Sequence, residues 1–376
     1  MLASKNNILL TFQQSQFKIH DTKLETTQTI SINSTREDEH LGFVLDGSVS
    51  PCNNYICVSD DCKGLYLYSK NDSNWILLRQ SCLERRCSKI KFTHDSQYII
   101  VADKSGYILR IPLEFENHQQ NSKEEDKLRW ITMGHVSVLI DFDLHPFQQL
   151  IATADRDEKI RISFYPNSYE IYTFLMGHTK FVSQVKFTAD GKKLISVGAD
   201  GYLIIWDLKS KQSLYSHKYS TKDESSIPVV TRMFIKKDKI FLFFKNENHL
   251  QVVTLNESVD GVRASSEYIR LPMCILDAAA IETGDSIDFY IIGGEEKVVI
   301  DCVTFDENDT LTKKENNWLT SENFNDSAIS SRNKFLDALP KVPLDKTGLQ
   351  VYYELKEKRL KLNGDFKSVE SDEDNQ

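Results

Sequence analysis

The sequence predicts an all-β chain folded as a ring of seven four-stranded sheets, a β-propeller, ending in a disordered acidic tail. Three observations carry this. Gly134-His135, Asp157 and Ser163 recur 43 residues later as Gly177-His178, Asp200 and Trp206. Tight turns followed by alternating strands mark Gly64, Gly106, Glu158 and Gly201, spaced 42, 52 and 43 residues apart. Strand-like runs continue far beyond these copies. A period of about 40–45 residues is that of a four-stranded propeller blade, and 376 residues with insertions hold seven of them.

Taken in order, Asn6–Lys18 alternates like a strand pair. It is expected to complete the last blade and so close the ring without a long exposed edge. Val58–Tyr68 and Ala102–Ile111 each read as a tight turn followed by a strand. The long 52-residue interval contains Glu114–Leu128, with five acids and two lysines, read as an insertion loop. The clearest repeats span 134–207. Downstream, Lys239–Phe244, Leu250–Leu255, Phe289–Ile292 and Lys297–Phe305 read as strands. From about 310 to 345 the pattern is irregular, with Trp318–Leu339 polar and scattered with aromatics. Tyr352–Leu362 reads as a strand or a short helix. The propeller is expected to run over 1–364 and the tail over Asp365–Gln376, where five acids stand against one lysine.

The repeat is the WD repeat. Its second copy supplies His178, Ser196, Asp200 and Trp206, expected to form a hydrogen-bonded chain. Packed blades bury these polar groups, which must therefore satisfy one another. The first copy offers His135, Thr153 and Asp157, with Ser163 where the Trp would stand, so its chain is one member short.

Composition limits the function classes. Apolar residues are 40% and charged residues 27%, the profile of a soluble globular protein. No apolar run approaches the roughly 20 residues of a membrane helix, and the start does not read as a signal peptide, so an intracellular protein is expected. Seven cysteines without a Cys-x-x-Cys pair argue against a disulfide framework and a usual zinc site. Reduced, mostly buried strand cysteines are expected. A net charge of −9 has the wrong sign for gripping nucleic acid unaided. There is no P-loop, no glycine-rich dinucleotide fingerprint and no nucleophile elbow. Asp157 and Asp200 occupy equivalent positions of adjacent blades, which is unlike a general acid–base pair. No catalytic, cofactor-binding or metal-binding residue is expected.

One feature exceeds what a blade requires. Asp155-Arg156-Asp157-Glu158-Lys159 is five consecutive charges at a blade turn, followed by Arg161 on the next strand. It reads either as a solvated turn or as an electrostatic docking edge. In the second case Glu158 points outward, held from the next strand by Arg161.

The run Gly134-His135, Leu144-His145-Pro146, Thr153-Ala154-Asp155-Arg156-Asp157-Glu158-Lys159-Ile160-Arg161, closing with Gly177-His178-Thr179-Lys180-Phe181-Val182-Ser183, closely resembles a known family. That family is the non-catalytic WD-repeat subunit of the eukaryotic tRNA (guanine-N7)-methyltransferase. The likeness is strong over about 95–210. It implies a heterodimer in which a separate catalytic subunit binds S-adenosylmethionine and forms N7-methylguanosine in the tRNA variable loop. The propeller stabilises that subunit and contributes no catalytic residue and no cofactor site. Arg156, Asp157, Glu158, Lys159 and Arg161 carry over as partner-binding residues, tRNA is engaged through the complex, and a nuclear location is implied. The competing reading is a general WD scaffold in a chromatin, replication or ubiquitin-ligase assembly, which the string Asp155–Arg161 disfavours.

Overall fold

The computed structural model describes residues 1–314 apart from 14, 33–41, 73, 114–130, 148, 220–228, 259–260, 272, 295–298, 307 and 309. The expected insertion loop, the segments Trp318–Leu339 and Tyr352–Leu362, and the acidic tail lie outside the described residues. Leu311–Lys314, at the start of the region read as irregular, is a strand.

Among the described residues, twenty-eight strands, β1–β28, form seven four-stranded antiparallel sheets, and each sheet uses four strands consecutive in the chain. The blades run from Leu2 to Ser31, Val44 to Cys82, Cys87 to Gly134, Leu139 to Leu175, Val182 to Lys218, Val230 to Arg270 and Ile275 to Lys314. No helix among the described residues is long and apolar enough to cross a membrane.

Burial explains why these segments form blades. The second strand of a blade is covered on both faces and reads as a largely apolar run, as in Lys193–Gly198 (β18) and Lys239–Phe244 (β22). The fourth strand alternates or is mostly exposed, as in Gln212–Lys218 (β20). Seven apolar clusters follow, each shared by two neighbouring blades. The core is therefore a ring of seams.

Two expectations are corrected. Asn6–Lys18 does contain a strand pair, Ile8–Gln13 (β2) with Gln16–Asp21 (β3), but it sits in the centre of its own first blade. The last blade owns all four of its strands, so closure comes from side chains. Leu2 and Leu9 pack with Leu276, Ala279, Tyr290 and Ile292. The seven cysteines are thiols rather than disulfides, but only Cys57, Cys87 and Cys302 are buried. Cys52 lies in a turn and Cys82 ends an outer strand, and both are exposed.

The innermost strands carry a device that the repeat pattern did not reveal. After a register irregularity near the start of several of them, a polar side chain reaches the next blade's inner backbone. Asp46 accepts from Ile90 N at 2.6 Å, Asp141 from Val185 N at 3.1 Å and Gln184 from Met233 N at 2.7 Å. Asp277 accepts from Leu2 N at 2.7 Å, which spans the ring closure. Arg232 adds a fork to Asp277, at 2.7 and 3.1 Å, and a bond to the Leu2 carbonyl at 3.1 Å. Blades 6, 7 and 1 are thus clasped together by one buried ion pair.

Candidate docking site on blade 4

Blade 5 shows the full hydrogen-bonded chain. His178 Nδ1 lies 2.9 Å from Asp200 Oδ2, His178 Nε2 lies 2.8 Å from Ser196 Oγ, and Trp206 Nε1 donates to Ser196 Oγ at 2.8 Å. All four residues are buried. Burial alone would raise the Asp200 carboxyl, but the bond from His178 holds it below the usual carboxylate range. The chain ties the loop before the blade to its second and third strands.

Blade 4 solves the same problem with a different carboxylate. His135 Nε2 lies 2.9 Å from Thr153 Oγ1, and His135 Nδ1 lies 3.3 Å from Asp155 Oδ2. The acid of this set is Asp155, not Asp157 as the 43-residue offset suggested. The reason is steric. Leu150–Asp155 (β14) ends on Asp155, while the equivalent strand of blade 5 ends on Gly198. A Cβ at Gly198 would stand 2.5 Å from His178 Nδ1 and 2.7 Å from Asp200 Oδ1. The glycine leaves room for a carboxylate arriving from two residues later; an aspartate at the strand end fills that room itself. Asp155 also accepts from Asp157 N at 2.9 Å and Lys159 N at 3.3 Å, which folds the charged turn around its own carboxylate.

The turn carries one unusual backbone. Glu158 has φ +69°, as Gly201 has +84° in the next blade. Gly106 (+96°) and Lys63 (+72°) occupy the same place in blades 3 and 2. The turn landmark of blade 2 is therefore Lys63 rather than Gly64, which makes that spacing 43 residues. A glutamate in the left-handed region costs about 1–2 kcal/mol, so its presence here is not explained by stability.

The expected brace from Arg161 to Glu158 is not the one observed. Arg161 donates to Ser163 Oγ at 2.9 Å, to the Gly134 carbonyl at 3.2 Å and to the Ser168 carbonyl at 2.9 Å. It anchors the residues before the blade and the turn after Ile160–Phe164 (β15). The structure thus brings Arg156, Asp157, Glu158 and Lys159 together on one turn and gives Arg161 to the frame beneath them. Arg156, Asp157 and Glu158 are partly exposed and Lys159 is exposed.

Beside the turn lies an apolar strip that sequence reading missed. Val136 is fully exposed in the loop whose Val138 carbonyl accepts from Arg156 N. On and after Ile171–Leu175 (β16), Ile171, Phe174 and Met176 are exposed, with Phe174 paired to Arg161 in register and Met176 62% exposed. Tyr169, in the turn before β16 at the opposite end of the blade, is 75% exposed. A strand's alternation shows that some residues face outward, and it gives no sign that several apolar ones do so side by side. Such a strip next to charges is a usual composition for an association surface.

The comparisons bear on this frame. The family described as tRNA methyltransferase TRM82 WD40 domain matches residues 114–304. A Danio rerio protein named tRNA (guanine-N(7)-)-methyltransferase non-catalytic subunit wdr4 is 29% identical, over 63% of this chain and 57% of its own. The Homo sapiens protein of the same name is 32% identical over 52% of this chain and 45% of its own. A Dictyostelium discoideum relative, also so named, is 23% identical over 76% and 63%. The chain thus spans about half the length of the curated relatives it matches. Among solved structures, a chain in a crystal structure of the mitotic checkpoint complex superposes with TM-score 0.61 over 83% of this chain and 85% of its own, at 14% identity. That likeness concerns the fold alone. With more than half its length matched, and its blades built as the repeat requires, the chain belongs to the tRNA methyltransferase TRM82 WD40 domain family.

Proposed function

We propose that the chain is the non-catalytic, stabilising subunit of a heterodimeric tRNA (guanine-N7)-methyltransferase, and that blade 4 docks the catalytic subunit. The observation that carries this is the charged turn 156–159, set on a hydrogen-bonded frame and flanked by exposed Val136, Phe174 and Met176, within the segment that matches the family. The names of the relatives supply the activity, and the residues supply the surface. Charges of both signs fix register and partner choice, while the apolar strip supplies buried area. In this reading S-adenosylmethionine binds the partner chain, tRNA is engaged through the complex, and the work is nuclear.

Co-expression with the catalytic subunit tests it. The complex should methylate tRNA, and Glu158→Lys should leave the propeller folded while weakening assembly by about 2–5 kcal/mol. Glu158→Gly should also weaken assembly while keeping or raising stability, because it relieves the left-handed glutamate. Unchanged affinity in both variants, with normal melting curves, would remove blade 4 from the interface.

A further inference from the structure

The two ends of the ring differ. In antiparallel blades the turn between the first and second strands lies at the opposite end from the turn between the second and third. The charged turn of blade 4 belongs to the second kind. At the other end, the first turns of blades 3 to 6 border an open cavity of about 460 Å³. Its walls combine apolar side chains, Ile195, Ile235 and Leu255, with the ammonium of Lys186.

Lys186 is the unusual member. It sits on the inner strand Val182–Phe187 (β17), where polar groups of neighbouring blades pair off. Lys91 Nζ bonds Asp143 at 2.7 Å, and Lys89 lies 3.7 Å from Asp141. Asp143 also accepts from Phe187 N, and Asp190 from Thr188 Oγ1 and Lys192 N. Lys237 pairs with Asp285. Among the described residues no carboxylate or carbonyl accepts from Lys186; its contact is the ring of Phe234, 5.2 Å away. Burial pulls its ammonium down to about 8, with Lys91 and Lys89 adding to the effect and Asp143 and Asp141 opposing it. His94, Lys193 and Asp238 complete the titratable groups around the cavity.

Lys186 is partly buried, and the two acids that act on it, Asp143 and Asp141, are ion-paired to Lys91 and Lys89. With no hydrogen-bonded counter-charge among the described residues, it faces a cavity that Asp238 also lines. We propose that this cavity binds a compact anion, a carboxylate or a phosphate, against Lys186. The anion is either a free small acid or an acidic side chain presented by a peptide, and in both cases its charge is met by the ammonium while its apolar neighbours lie on Ile235 and Leu255. The site is at the opposite end of the ring from the blade 4 turn, so it stands or falls independently of the docking proposal.

The test is competitive acylation of the full chain with trace acetic anhydride at pH 7.5, read by peptide mass spectrometry. Lys186 should label faster than the exposed lysines, because more of it is free amine. Acetate, inorganic phosphate and a blocked alanine-rich peptide with a central glutamate are the added probes, each balanced with chloride. An opposite charge within about 4–6 Å raises a lysine enough to cut its free-amine fraction here by about eightfold. Protection by acetate or phosphate supports a site for free anions, and protection by the peptide alone supports a peptide carboxylate. Lys186→Met should fold, melt no lower than wild type, and lose the phosphate-specific gain in Tm that wild type shows. Ordinary Lys186 labelling, no protection by any probe at millimolar concentration, or a Tm several degrees lower in Lys186→Met would each overturn the proposal.

Discussion

The ring should depend on Asp277 out of proportion to its size. Asp277 is 3% exposed and its carboxylate receives four hydrogen bonds, two from Arg232, one from Leu2 N and one from Ala278 N. Asp277→Ala leaves a guanidinium that is 18% exposed without its counter-charge, and breaking a buried pair from one side costs about 3–5 kcal/mol. The orphaned Leu2 N–H adds about 1–3 kcal/mol. These overlap, since one carboxylate serves both, so the expected loss is about 4–6 kcal/mol. Urea denaturation is the assay, with hydrogen exchange to localise the effect at Leu2–Lys5 (β1) and Ile275–Thr283 (β25). Asp277→Leu with Arg232→Met should cost less than Asp277→Ala alone, because no charge is then stranded. The pH dependence has a definite sign. Burial would raise the Asp277 carboxyl, but Arg232 overrides it and holds it below the usual range. A depressed folded value means that this stability is present above the unfolded value, about pH 3.9, and is lost as pH falls through the folded one. An unchanged urea midpoint in Asp277→Ala would refute the clasp.

Three further outcomes are expected. Trp206→Ala should cost about 3–5 kcal/mol, since Trp206 is 3% exposed and seals the blade 4–blade 5 seam; a melting curve like wild type would sink this account of the seam. Gly198→Asp should destabilise blade 5 by crowding His178, and adding Asp200→Gly should recover much of the loss by recreating the blade 4 arrangement; thermal melts of the single and double variants decide it. Arg161→Leu should lower stability by about 1–3 kcal/mol through Ser168 and Gly134, and it should weaken partner assembly only in step with that loss. A binding defect without a melting defect would instead place Arg161 in the interface itself.

Much of the architecture was legible before any coordinates. The Gly-His landmarks and the strand-end turns recur because every blade solves the same packing problem, so period and blade count follow from spacing. His178, Ser196, Asp200 and Trp206 were readable for the same reason: a buried polar chain needs all its members. What the repeat alone misplaced was Asp157. Alignment compares positions, whereas a hydrogen bond depends on which side chain has room to reach the histidine, and Asp155 occupies the space that Gly198 leaves empty. Arg161 shows the same limit, since three residues of separation did not disclose that its guanidinium would be taken up by Ser163, Gly134 and Ser168. Closure of the ring was decided by tertiary structure. Asp277, Arg232 and Leu2 are remote in sequence and meet only when seven blades have gone round. The exposed strip of Val136, Phe174 and Met176 and the lone ammonium of Lys186 belong to that class too. Whether a residue faces a neighbour, solvent or a cavity is set by how blades lie against one another, and local chemistry carries no record of it.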